Sequence, residues 1–93
     1  MNEQIEILKV TKEKLENKKG KLKERRKHLL KRAAEFRKKG EILRANIYEN
    51  ECKILSESIE KISMAIEQLS KTIALLESPF FYFGLKNDKI LKT

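Results

Sequence analysis

Catalytic side chains are almost missing from this chain. It holds one His, one Asp, one Cys and no Trp in 93 residues. A metal centre needs ligands clustered at short spacing, and the sequence has no such cluster. His28 stands among Arg25, Arg26, Lys27 and Lys31, which is the setting of a solvated helix-surface histidine. Gly20 and Gly40 lie in no Gly-rich run after a strand, so neither belongs to a phosphate-cradling loop. The expectation is a protein that is not an enzyme and carries no cofactor or metal. Cys52 is the only cysteine, so no internal disulfide can form. It falls on an apolar stripe, which predicts a buried core thiol and fits a reducing, cytoplasmic setting.

Other shortages bound the fold. One Pro, three Gly and 6% aromatics argue against a loop-rich or all-β domain. No apolar run nears the ~18–20 residues needed to cross a bilayer. The first residues, Met1-Asn2-Glu3-Gln4, lack the basic and apolar regions of a signal peptide. A soluble or peripheral membrane protein is expected.

Charge is what the chain has in abundance. Charged residues make up 39% of it and the net charge is +8. Such a composition, rich in Glu, Lys, Ile and Leu, belongs to long helices or coiled coils. The charge is uneven: residues 1–39 hold 15 Lys and Arg against 6 Glu, whereas residues 40–93 hold 7 against 8 acids. Between Lys12 and Lys39 alone the excess is +10. Pairs at i, i+4 cannot neutralise that excess. It points to an anionic partner: a lipid surface, nucleic acid or an acidic protein segment.

Apolar spacing predicts two helices. In the first, about residues 2–39, Leu8, Leu15, Leu22, Leu29 and Phe36 recur every seven residues. Ile5 and Ala33 supply the companion positions at the ends, but Lys12, Lys19 and Arg26 occupy the middle. A narrow apolar line beside a broad basic surface is expected. Gly20 interrupts at a cost of roughly 1 kcal/mol relative to Ala, yet the phase holds across it. Lys38-Lys39-Gly40 reads as a helix end, with cations at the negative end of the dipole and Gly at a left-handed cap.

The second helix, about residues 42–77, has a complete stripe: Tyr48, Cys52, Leu55, Ile59, Ile62, Ile66, Leu69, Ile73 and Leu76. Spacings alternating between four and three form an a/d seam. Two helices of equal length joined by a tight turn fold back antiparallel. The expected fold is therefore all-α, a long antiparallel two-helix hairpin over residues 1–78. Ser78-Pro79 stops the second helix. The aromatic run Phe80, Phe81, Tyr82 and Phe83 follows, then a short C-terminal helix or tail to residue 93. The aromatic run is a candidate either to cap the open end or to contact a neighbouring subunit or lipid.

Around the turn the chain reads Lys38-Lys39-Gly40-Glu41-Ile42-Leu43-Arg44-Ala45-Asn46-Ile47-Tyr48-Glu49-Asn50-Glu51. This resembles the hairpin of the ESCRT-III family, especially its archaeal cell-division (CdvB-type) members. There a basic first helix ends in Gly and an acidic or amide residue. A basic residue, Ala, a variable residue, a β-branched or Met residue, Tyr, Ala, Asn and Glu follow. Gly40, Glu41, Arg44, Ala45, Ile47, Tyr48, Asn50 and Glu51 match, and Ala65 to Leu69 and Leu76-Glu77 look like the end of the family's second helix. The likeness spans about residues 20–77. Glu49 departs from it, standing where the family has a small residue, and so does Pro79, where family members extend the helix. No amphipathic leader and no segment recruiting a disassembling AAA ATPase is read, so a core hairpin, cellular or virus-borne, is expected.

The resemblance implies a membrane-remodelling polymer subunit acting in scission, budding or division, with itself and ESCRT-III paralogues as partners. Lys12, Lys18, Lys19, Lys23, Arg25, Arg26, Lys27, Lys31 and Arg32 are the candidate membrane contacts. Two alternatives remain open at this point. One is a coiled coil that binds nucleic acid through phosphates alone. The scarcity of aromatics in the basic helix disfavours base stacking. The other is a truncated regulator that caps ESCRT-III filaments.

Overall fold

The computed structural model describes residues 2–78; the expected aromatic contacts and C-terminal helix lie outside the described residues. Helix α1 spans Asn2–Lys38 and helix α2 spans Ile42–Glu77. They run antiparallel, and no strand occurs among the described residues. At 1.5 Å per residue each helix is about 55 Å long. α1 passes through Gly20 without a break. Its helical hydrogen bonds are undisturbed there, since Gly can take ordinary helical angles at an entropic cost alone.

The turn is built by Gly40. It adopts φ 78°, a left-handed angle that only Gly takes without steric cost. The Glu41 amide then donates to the Phe36 carbonyl at 2.9 Å, and the Gly40 amide to Arg37 at 3.1 Å. These two bonds make a Schellman motif, which satisfies carbonyls the helix end would otherwise leave orphaned. The Ala45 amide donates to Glu41 at 3.1 Å and opens α2. At the far end Ser78 is extended, φ −73° and ψ 131°, as a residue before proline must be.

The helices meet along an alternating 3, 4 seam. On α1 the less exposed positions are Ile5, Leu8, Lys12, Leu15, Lys19, Leu22, Arg26, Leu29, Ala33 and Phe36. On α2, Tyr48, Leu55, Ile62, Ile66, Leu69 and Leu76 are half-buried, and Cys52, Ile59 and Ile73 are buried. Full burial of apolar groups extends further only to Ala33 and Ala45 among the described residues. Ala45 is 0% exposed, a position outside the expected stripe. A methyl is what fits where the chain has just reversed and the two backbones are near each other. Next to it Phe36 and Tyr48 stack with ring centroids 5.3 Å apart and planes at 19°. Arg32 and Arg44 lie over Phe36 at 5.4 and 5.6 Å, close enough for cation–π attraction. The tip is thus the best-packed part of a thin core.

Candidate anion-binding flank

Three of the expected membrane contacts do not point away from the hairpin. Lys12, Lys19 and Arg26 take seam positions of α1 and are half-buried. Their long stems cover apolar surface while their heads reach the rim. Arg26 Nη1 donates to Ser56 Oγ at 3.0 Å. Lys12 lies 3.9 Å from Glu16 and shares a groove with Glu13, Ile73 and Glu77. Ser56, Ser63 and Ser70 are spaced seven apart and half-buried. The Arg26–Ser56 register therefore sets Lys19 opposite Ser63 and Lys12 opposite Ser70. A small hydroxyl residue leaves room for the cation's stem and offers oxygen to its head. The sequence shows these cations interrupting an apolar line. What it does not show is that Ser56, 30 residues away, accepts a hydrogen bond from one of them, Arg26.

Two flanks run along the hairpin, one on each side of the plane holding both helix axes. The first is fixed by inter-helix polar contacts. Lys9 pairs with Glu77 at 3.1 Å. Arg37 reaches Glu49 through Nε at 3.2 Å and Nη2 at 2.7 Å, and Asn46 at 3.1 Å. The two-pronged Arg37 grip fixes direction as well as distance. α2 shows this side Glu49, Glu60, Glu67 and Glu77 with Lys53; α1 shows Lys9, Lys23, Lys27 and Arg37 with Glu6, Glu13 and Glu16. The net charge of this paired flank is −2.

The second flank has a different character. Lys14, Lys18, Lys21, Arg25 and Arg32 follow the 4, 3 helical rhythm and share one face of α1, and Lys39 just past its end continues the row. His28 and Glu35 complete the same row. Lys39 stays in phase because its amide still bonds Glu35 at 3.2 Å. None of the six cations forms an ion pair among the described residues. Across the groove α2 adds Arg44 and Lys61 against Glu51 alone. This open flank carries +6. Arg25 shares a groove with Glu51, Ile54 and Leu55, and Arg32 shares the next with Arg44, Ile47 and Glu51.

Of the expected contacts, Lys18, Arg25 and Arg32 therefore stand together on the open flank. Lys23 falls on the paired flank with Lys27, and Lys31 on the outer face of α1. Lys14, Lys21 and Lys39 were not among the candidates, although their 4, 3 spacing with Lys18 and Arg25 was a usable signal. Ile47 and Ile54, 59% and 62% exposed, were also missed. The chemistry of the flank is attraction for extended anionic surfaces. Cys52 is buried with its thiol 3.7 Å from the Arg26 carbonyl. Burial pushes its pKa up, with Arg26 opposing, so it is a poor nucleophile. No group of three potential metal ligands occurs among the described residues. No helix among them is long and apolar enough to cross a membrane. The chain matches no family model, no curated protein and no solved structure.

Proposed function

We infer that this chain is a membrane-remodelling polymer subunit of ESCRT-III type, which binds anionic bilayer peripherally and assembles side by side into filaments. The observation that carries this reading is the one-sided charge: an extended flank of +6 whose row of six cations along α1 has no ion-pair partner among the described residues. Each basic residue near an anionic leaflet contributes about 1 kcal/mol, so such a row binds without inserting a helix. Lateral assembly is supported by the thin core and by what stays outside it. Leu43 is 81% exposed, and Met64 and Leu75 also face outward on α2. Apolar groups of that size along a rod favour coverage by neighbours. Gly40, Ala45 and Tyr48, which carry the family resemblance, have structural roles at the tip, and this supports a hairpin of that kind.

Co-sedimentation with phosphatidylserine/phosphatidylcholine vesicles, followed by negative-stain imaging, tests the reading. Salt-sensitive pelleting with anionic but not neutral vesicles is expected, with filaments or deformed, coated vesicles. Bare, unchanged vesicles at low salt overturn it. Tight duplex-DNA binding in the same buffer would then place the chain among phosphate-binding coiled coils. Phe36 and Tyr48 are stacked on each other at the tip, which leaves no free ring among them for single-stranded bases.

A further inference from the structure

The geometry points to a composite bilayer contact: the hairpin lies on its open flank, with α1 supplying cations to lipid phosphates and α2 supplying Ile47 and Ile54 to the acyl boundary. This rests on the membrane reading above and goes beyond it, because a basic first helix alone does not say which face touches lipid or whether the second helix takes part.

The alternatives differ in charge. The outer face of α1 carries Glu3, Glu24, Lys31 and Lys38 and sums to zero. The paired flank sums to −2, and its cations Lys9 and Arg37 are already held by Glu77 and Glu49. Only the open flank offers a strong field. It also offers exposed aliphatic groups beside the cations: Ile54 shares the groove of Arg25, and Ile47 that of Arg32 and Arg44. Cations beside exposed aliphatics are the two halves of an interfacial binding surface, one for headgroups and one buried roughly 5–10 Å into the headgroup/acyl boundary. In an interfacial helix both halves sit on one element. Here each helix contributes one half, and the hairpin fold brings them side by side. The like flank of a second copy is also +6, which disfavours a symmetric pair of chains as the occupant.

The chain has no Trp, so a single introduced Trp reports without background. Ile54→Trp marks the open flank, Asn17→Trp the outer face of α1 and Ala74→Trp the paired flank; all three sites are exposed. Each full-length variant is mixed with phosphatidylserine/phosphatidylcholine vesicles containing brominated lipid. A blue shift and quenching of Ile54→Trp alone are expected. Stronger quenching of Asn17→Trp or Ala74→Trp overturns the orientation. Pelleting with no quenching at any site overturns the apolar half. A blue shift of Ile54→Trp without vesicles assigns the flank to another copy of the chain and overturns the proposal. Failure of the unmodified chain to bind anionic vesicles removes the membrane reading and this inference together, and is distinct from binding in the wrong orientation. Two sets of variants check the halves separately, with helicity followed by circular dichroism. Lys18→Gln/Arg25→Gln/Arg32→Gln weakens vesicle binding roughly a hundredfold, at roughly fivefold per basic residue. Ile47→Ser/Ile54→Ser weakens it roughly tenfold, with no change in helicity because both sites are exposed. Equal losses from Lys23→Gln/Lys27→Gln on the paired flank would overturn the assignment.

Discussion

The two flanks are made of the same two helices and lie about one helix diameter apart, yet they answer charge in opposite ways. On the paired flank, α1 and α2 carry opposite signs, and the inter-helix ion pairs among the described residues form there. Lys9 reaches Glu77 and Arg37 reaches Glu49. On the open flank, cations outnumber acids on both helices, and Glu51, which shares the grooves of Arg25 and Arg32, forms no ion pair with either. The inter-helix ion pairs among the described residues stitch one flank. The other concentrates a field, because the six cations of its α1 row form no ion pair among the described residues. Net charge alone misses this: a value of +8 spread evenly would attract anions weakly and without orientation.

The comparison is sharpest when the same charge is added to each flank. Glu35→Lys/Glu51→Lys on the open flank should strengthen anionic-vesicle binding roughly thirtyfold, at about 1 kcal/mol for each new basic residue. Glu60→Lys/Glu67→Lys on the paired flank makes the same change roughly a Debye length farther from the bilayer, about 8 Å at physiological salt. There the gain should be no more than about threefold. Equal gains in paired co-sedimentation titrations would end the distinction between the flanks.

The seam between them can be shifted next. Lys19→Leu completes an interrupted a/d line, so the hairpin should gain about 1 kcal/mol in thermal or urea melts. A polar residue at such a position trades stability for register. The variant should also show extra oligomers by sedimentation velocity. A destabilised Lys19→Leu would mean that this seam position favours the lysine stem and its rim-reaching head over an apolar contact.

Gly20→Ala probes backbone cost alone. A Cβ there meets nothing within 4 Å, so stability should rise by about 1 kcal/mol and vesicle binding should not change. The smallest effect belongs to the stitching. Arg37→Ala should cost about 0.5–1 kcal/mol at low salt, as a half-exposed ion pair does, and the difference should fade in 1 M salt. A salt-independent loss would place the contribution of Arg37 in packing.

Much of the architecture was legible in the residues. The complete stripe from Tyr48 to Leu76 gave α2. The heptad of leucines gave α1, even across Gly20. Gly40 after two lysines gave the turn, and the structure gives it the expected left-handed angle. The site was less legible. Lys12, Lys19 and Arg26 looked like surface cations because a one-dimensional pattern counts a charge as solvated. They are half-buried seam residues, and Arg26 meets a serine of the other helix there. The run of cations from Lys12 to Lys39 looked like one broad surface. It divides into a seam row, an open row, a paired row and an outer row of Lys31 and Lys38, and the grooves of the open row hold the exposed Ile47 and Ile54.

Periodicity is a local property, and the sequence by itself determined everything that depends on it: two helices, their lengths, the reversal at Gly40 and the apolar edge of each. Local i, i+4 partners answer Lys12 and Lys71, but the carboxylates that answer Arg37 and Lys9 are 12 and 68 positions away. That pairing exists only once the helices are side by side. The tertiary structure therefore decided which cations are spent within the molecule and which face outward, because electrostatic partnership is set by distance in space and not by spacing along the chain.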